Sequence, residues 1–170
     1  TLAKLEQHKL EMNKKEVPLS PMIEDLIEKF TIKTEKTIHF TTDLKTEKVY
    51  ADEEFLKEAI SNLIDNAIKY SKESVKINIS SSSDANHDII NIYDNGIGIP
   101  QKDQKKIFEK FERASAIKQT RKGGPSGFGL GLNYVYQVME AHEGRVYINS
   151  IEGEFSEFSL LIPKIIESYD

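Results

Sequence analysis

The sequence predicts an α/β fold of the α+β kind, and three observations carry that prediction. Apolar residues keep a helical period through residues 52–71. Residues 75–81 and 88–93 alternate in polarity like paired strands, joined by a polar turn. Two further strand-like runs, 145–150 and 157–162, follow a helix that stops at a glycine. The chain has 170 residues, enough for one compact domain with a short appendage, and its 38% apolar content suits a packed core.

Taken in order, residues 1–15 read as an amphipathic helix with Leu2, Leu5 and Met12 near one stripe. With little else to pack on, it reads as the tail of a longer helix, and the uncapped start at Thr1 reads as a fragment of a longer protein. Residues 16–20 read as a break. Ser20 and Pro21 then signal an N-cap and a first helical residue, ahead of a helix burying Ile23, Leu26, Ile27 and Phe30. Residues 37–44 and 49–51 read as strands. Asp52 caps the long helix, whose core face is Phe55, Leu56, Ala59, Ile60, Leu63, Ile64, Ala67 and Ile68. A glycine-rich loop, 94–100, precedes a short helix with Ile107, Phe108 and Phe111. Residues 113–128 read as a basic, glycine-rich loop, and about 130–142 as a helix ending at Gly144.

Composition narrows the chemistry. A net charge of −5 argues against a nucleic-acid partner. The lack of cysteine excludes disulfides and thiolate metal sites. No apolar run reaches the length of a membrane span, and Thr1 does not begin a signal peptide, so a cytoplasmic domain is expected.

Three polar constellations stand out. Asn62 and Asn66, four residues apart on the long helix, share one face, and Lys69 lies a turn further on. Asparagine is a poor helix former, whereas its amide oxygen is a hard ligand suited to Mg²⁺ and a lysine suits phosphate. A solvated polar face would look the same. Asp94-Asn95-Gly96-Ile97-Gly98-Ile99-Pro100 follows a strand directly. Its carboxylate can accept from an exocyclic amine such as adenine's, and its glycines let backbone approach a flat ligand, although a tight turn also fits. Gly127, Gly129 and Gly131 run into a helix whose first amides suit a polyphosphate, or form a hinge. Neither a P-loop nor a dinucleotide fingerprint is present. Lys118, Arg121 and Lys122 beside that run could attract phosphate or keep the loop soluble.

In order and spacing, the asparagine box, Asp-x-Gly-x-Gly, Phe-x-x-Phe and Gly-x-Gly-x-Gly-Leu together resemble the histidine-kinase ATPase family, over residues 16–163. That resemblance implies a two-layer sandwich of the Bergerat type, with a mixed, mostly antiparallel sheet and helices on one face. ATP would lie between helices under a lid. By the same resemblance, Asn66 would hold Mg²⁺ with Asn62 nearby, and Lys69 and Tyr70 would meet the phosphates and the ribose or lid. Asp94 would bind the adenine amine in a pocket shaped by Gly96, Gly98 and Ile99. Phe108 and Phe111 match an aromatic box that anchors the lid, and Arg113 matches an arginine that reaches the γ-phosphate. Gly127, Phe128, Gly129, Leu130, Gly131 and Leu132 would supply amides and lining at the lid's end.

Position 62 separates the branches of the family. Gyrase-like ATPases, MutL-like proteins and anti-sigma serine kinases carry a glutamate there as general base. Asn62 cannot take a proton, which favours the histidine-kinase branch. Residues 1–15 then resemble the end of the phosphoacceptor domain's second helix, and residues 16–170 the catalytic domain. His8, followed by Lys9 and Leu10, lacks the acidic residue and proline that follow family acceptors. His39, His87 and His142 fit strand or turn positions without metal-like spacing. The resemblance implies a histidine-bearing helical domain and a response regulator as partners, and a homodimeric full-length protein anchored in the bacterial inner membrane. An anti-sigma-type serine kinase or a degenerate nucleotide-binding module are the alternatives. One departure is Phe155, which stands where the last family box carries its second glycine and should narrow the backbone options at that turn, with nucleotide affinity at stake.

Overall fold

The computed structural model describes the backbone of residues 11–112 and 126–165, and the side chains of residues 11–107 and 131–165. The elements run β1 (Lys14–Pro18), α1 (Leu19–Lys33), β2 (Ile38–Leu44), β3 (Lys48–Asp52), α2 (Glu53–Lys69), β4 (Val75–Ser83), β5 (His87–Asp94), α3 (Gln101–Glu112), α4 (Ser126–Ala141), β6 (Arg145–Ile151) and β7 (Phe155–Pro163).

Five strands form one mixed sheet in the order β2-β4-β5-β7-β6. Only β2 and β4 pair in parallel, and the remaining neighbours are antiparallel. Strand period decides which face is covered. On β4, Val75, Ile77, Ile79 and Ser81 are buried, and on β5 the buried set is Asp88, Ile90, Ile92 and Asp94. On β7 it is Ser156, Phe158, Leu160 and Ile162. The intervening side chains of these strands are half-buried or exposed, so helices cover one face and the other stays open. The layers and the mostly antiparallel pairing agree with the expected sandwich.

α2 is the spine of the helical layer. Leu56, Ala59, Ile60, Leu63 and Ile64 are almost wholly buried, each large side chain contributing about 1.5–3 kcal/mol. As expected, Asp52 caps the helix, its Oδ1 accepting from Phe55 N–H at 3.0 Å, worth about 1 kcal/mol.

The structure corrects the reading at four places. Lys14 and Lys15 belong to β1, paired with Asp52 and Ala51 of β3, so the helix expected over 1–15 does not reach its expected end. Residues 16–18 are strand rather than break. α1 starts at Leu19 with Pro18 as N-cap and no side-chain cap, and the orphan Leu19 N–H donates to the Glu47 carbonyl at 2.8 Å. Ser20 is therefore not the cap, and Pro21 is the third residue of the helix. α4 begins at Ser126, so Gly127 is helical rather than loop, and the helix starts about four residues before its expected beginning near 130. At its other end the left-handed residue is Glu143, with φ 59°, and Gly144 is needed for another reason: a Cβ there would lie 2.2 Å from the Leu161 carbonyl oxygen. Residues 1–10, with His8, and residues 113–125, with Arg113, Lys118, Arg121 and Lys122, lie outside the described residues.

Candidate functional site

Asp94 is the last residue of β5, in register with Ile77 on β4 and Ser156 on β7. It falls on the covered face, so a carboxylate ends up 7% exposed beneath the helical layer. Its Oδ1 accepts the Gly96 N–H at 2.8 Å, and its Oδ2 accepts nothing from the described residues. Burial raises its pKa from 3.8 to about 6, against the lowering effect of the Gly96 N–H.

The loop after Asp94 is fastened on three sides. Asn95 accepts from Lys76 N–H at 2.8 Å and donates Nδ2 to the Ser74 carbonyl at 2.9 Å, which ties it to the start of β4. Ile97 N–H donates to the Tyr70 carbonyl at 3.0 Å, which docks the loop on the end of α2. A Cβ on Gly96 would lie 2.6 Å from that same Tyr70 oxygen. Gly98, at φ 70°, would place a Cβ 2.2 Å from the Ile151 carbonyl oxygen, so both glycines are set by close approach. Ile99 N–H donates to Ser150 Oγ at 2.8 Å, and Gln104 Nε2 bridges the Ile99 and Ser150 carbonyls. Lys72 Nζ meets the Gly153 carbonyl from the α2 side.

Asn66 faces this loop from α2. It is 6% exposed, and its Nδ2 has no hydrogen-bond partner among the described residues. A buried polar atom without a partner costs about 1–3 kcal/mol, a cost that a ligand could remove. The amide lies against α4 at Gly131.

Asn66, Ala67, Tyr70, Asp94, Ile97, Gly98, Ser156 and Phe158 enclose one cavity of about 10 Å³, the room of about one water. The structure thus brings Asn66, Tyr70, Asp94 and Gly98 together, with Gly96 behind Asp94 and Gly131 behind Asn66. Asn62 is half-buried one turn earlier on α2 and does not line the cavity. Lys69 is exposed and paired with Asp65 at 3.3 Å. Ile97, not Ile99, lines the cavity, because Ile99 is turned into the core at 3% exposure. Leu132 is wholly buried. Phe111 lies on α3 and Gly127, Phe128, Gly129 and Leu130 on α4, their side chains outside the described residues.

Sequence reading missed Ser156 and Phe158 as lining residues. The signal was available: strand alternation from Asp94 across to its partner Ser156 puts both on the covered face. The same alternation sends Phe155 the other way. Its ring stacks on Tyr93 on the open face, centroids 5.6 Å apart, and the turn before it is made by Gly153 at φ 84°. Phe155 therefore does not narrow the cavity.

The model of the "Histidine kinase-, DNA gyrase B-, and HSP90-like ATPase" family matches residues 51–166. The chain belongs to that ATPase family. ATP is the family's nucleotide, and the matched span contains the whole cavity. Over 158 residues this ATPase domain is 33% identical to the adaptive-response sensory kinase SasA of Crocosphaera subtropica, covering 91% of this chain and 40% of that protein. Over 173 residues it is 30% identical to the sensor histidine kinase WalK of Bacillus subtilis, covering 99% of this chain and 28% of that protein. The chain thus spans less than half of either relative. Among solved structures, the catalytic domain of histidine kinase ThkA superposes with a TM-score of 0.71 at 26% identity, covering 90% of this chain and 99% of that one. Among the described residues no helix is long and apolar enough to cross a membrane.

Proposed function

We propose that this ATPase domain is the phosphoryl-donor half of a sensor histidine kinase, presenting the γ-phosphate of Mg·ATP to a histidine on a separate helical domain. One observation carries the reading: an ionisable carboxylate, Asp94, and an unpartnered amide, Asn66, converge on one cavity, while position 62 offers no proton acceptor. Without a base of its own the site suits donation to an external nucleophile rather than hydrolysis.

In this reading Asp94 accepts from the adenine amine, with Ser156 beside it. Ile97, which is 44% exposed, and Tyr70 part to admit the ring. Lys69 exchanges Asp65 for phosphate oxygens. By the family resemblance, Arg113 would serve the γ-phosphate and Phe111 the anchoring of the lid. The free amides of the first turn of α4, around Gly127 and Gly129, meet the phosphate chain, with Phe128, Leu130, Gly131 and Leu132 behind them. No group of three acidic or histidine side chains among the described residues could hold a metal alone. An Mg²⁺ ion would thus share the Asn66 amide, and Asn62's beyond it, with phosphate oxygens and water, and would neutralise phosphate charge. Either amide atom of Asn66 can face inward by a flip. The domain's own contribution is to hold the donor in line. The acceptor helical domain, a response regulator, a homodimeric whole protein and an inner-membrane anchor belong to the same proposal.

Calorimetry with Mg·ADP and a non-hydrolysable ATP analogue tests it. Binding that Asp94→Asn abolishes, and phosphotransfer once a histidine-bearing helical domain is joined on, are the expected results. No binding at millimolar nucleotide would reject the site. Turnover by the isolated chain would point to a serine kinase or free ATPase, and binding without transfer to an interaction module.

A further inference from the structure

We infer that His142 is a positioning residue for the nucleotide site, acting from the far end of the α2–α4 pair. The inference rests on the reading of Asn66 and Asp94 as nucleotide ligands. The two helices run antiparallel and meet at three levels. Gly131 lies against Asn66 at the site end. Tyr134 donates its hydroxyl to Glu58 Oε2 at 3.0 Å further along. Beyond the last residue of α4, His142 Nε2 accepts the Asp52 N–H at 3.0 Å, at the first turn of α2. From Asn66 to Asp52 is about 21 Å of helix.

The chemistry of His142 is fully specified by its partners. The Val138 carbonyl, 2.7 Å from Nδ1, can only accept, and the Asp52 N–H can only donate. A neutral imidazole with its proton on Nδ1 satisfies both, and burial, at 2% exposure, lowers its pKa and favours that form. Asp52 is itself a junction. Its carboxylate accepts from Phe55 N–H and from Asn13 N–H, each at 3.0 Å, so the bond from His142 also reaches the chain leading into β1.

The site end explains why this bond matters. Gly131 has no side chain with which to fix how far α4 lies along α2. The hydrophobic driving force is itself non-directional, whereas a hydrogen bond weakens steeply away from its geometry. The position of the Asn66 amide against α4 is accordingly set by the directional bonds at Tyr134 and His142.

The test uses the whole chain, Mg·ADP calorimetry and thermal unfolding on the same samples. His142→Phe keeps a ring and loses the acceptor. His142→Gln offers Oε1 to the Asp52 N–H. A truncation at the sheet core, Ile79→Val or Ile79→Ala, is chosen to match the loss of Tm. The expected result is affinity about threefold to tenfold weaker in His142→Phe, largely restored in His142→Gln, and unchanged in the Ile79 control. If His142→Phe does not fold, His142→Asn, too short to reach Asp52, takes its place. Equal affinities in the His142 and Ile79 variants, where Asp94→Asn still abolishes binding, would overturn this inference alone. Failure of the unaltered chain to bind Mg·ADP would overturn the site reading and this inference with it.

Discussion

Gly131 of α4 faces the Asn66 amide of α2 so closely that a Cβ on the glycine would lie 3.4 Å from Asn66 Nδ2. That is an ordinary van der Waals contact, so alanine fits. Alanine is also the better helix former, by about 0.8–1.0 kcal/mol. Gly131→Ala should therefore raise the Tm of the ligand-free domain. It should also weaken Mg·ADP binding, because the added methyl occupies space beside the one buried amide that lacks a partner and faces the cavity. A variant more stable and equally tight in binding would show that this space is not used by the ligand.

Asp94 makes a pH dependence of definite sign. Its folded pKa, about 6, lies above the unfolded value of 3.8, so the folded chain binds the extra proton between them. Stability from this group is present below the unfolded value and is lost as pH rises through about 6, a cost on the order of 2–3 kcal/mol at neutral pH. Asp94→Asn can keep the bond from Gly96 N–H and removes the buried charge. It should stabilise the ligand-free domain at pH 7.5 and flatten the stability profile between pH 4 and 6, while abolishing nucleotide binding. In the unaltered chain, affinity should fall as pH drops through about 6 and the acceptor is protonated. Urea melts and calorimetry across that range check both signs.

How much of this was legible in the sequence depends on whether the determining contact is local. α2 was readable because its period and its Asp52 cap lie in its own residues. The strands of the large sheet were found within two residues of their ends, because alternation is also local. β1 was missed because only Val17 of its five residues is buried, and its pairing partner lies some 35 residues downstream. The start of α1 was misplaced because its first amide is satisfied by Glu47, a distant carbonyl, rather than by Ser20. Low glycine propensity argued for a loop up to residue 128, yet α4 already runs from Ser126, held by the burial of Leu132, Val135, Val138 and Met139. Asp94, Asn66 and their glycines were legible as motifs. Ser156 was not, since the glycine pattern drew attention to Phe155 beside it. His142 is in a turn, as expected, but its bond was not legible because its partner, Asp52, is ninety residues away.

Phe155 separates stability from binding. Its ring stacks on Tyr93 on the open face, while its neighbour Ser156 lines the cavity. Phe155→Gly, which restores the family's glycine, should cost about 1–2 kcal/mol through the lost aromatic pair and the freer backbone. Nucleotide affinity should stay within about twofold, since no cavity-lining group moves. A clear gain in affinity would mean that the departure at this position does tune the site.

Asn133 is the other buried amide without a partner among the described residues, and its case differs from that of Asn66. It is wholly buried on α4, and neither its Nδ2 nor its Oδ1 has a hydrogen-bond partner among the described residues. A helical turn places it opposite the Gly131, Tyr134 and Val138 stripe that faces α2, so it is turned away from the nucleotide cavity. Each unsatisfied buried atom costs about 1–3 kcal/mol, and a leucine of similar length removes both. Asn133→Leu should therefore raise the urea midpoint by an amount equivalent to about 1–2 kcal/mol, with m and Mg·ADP affinity unchanged. A lowered midpoint would mean that the amide is satisfied in solution, as by an ordered water bridging both of its atoms.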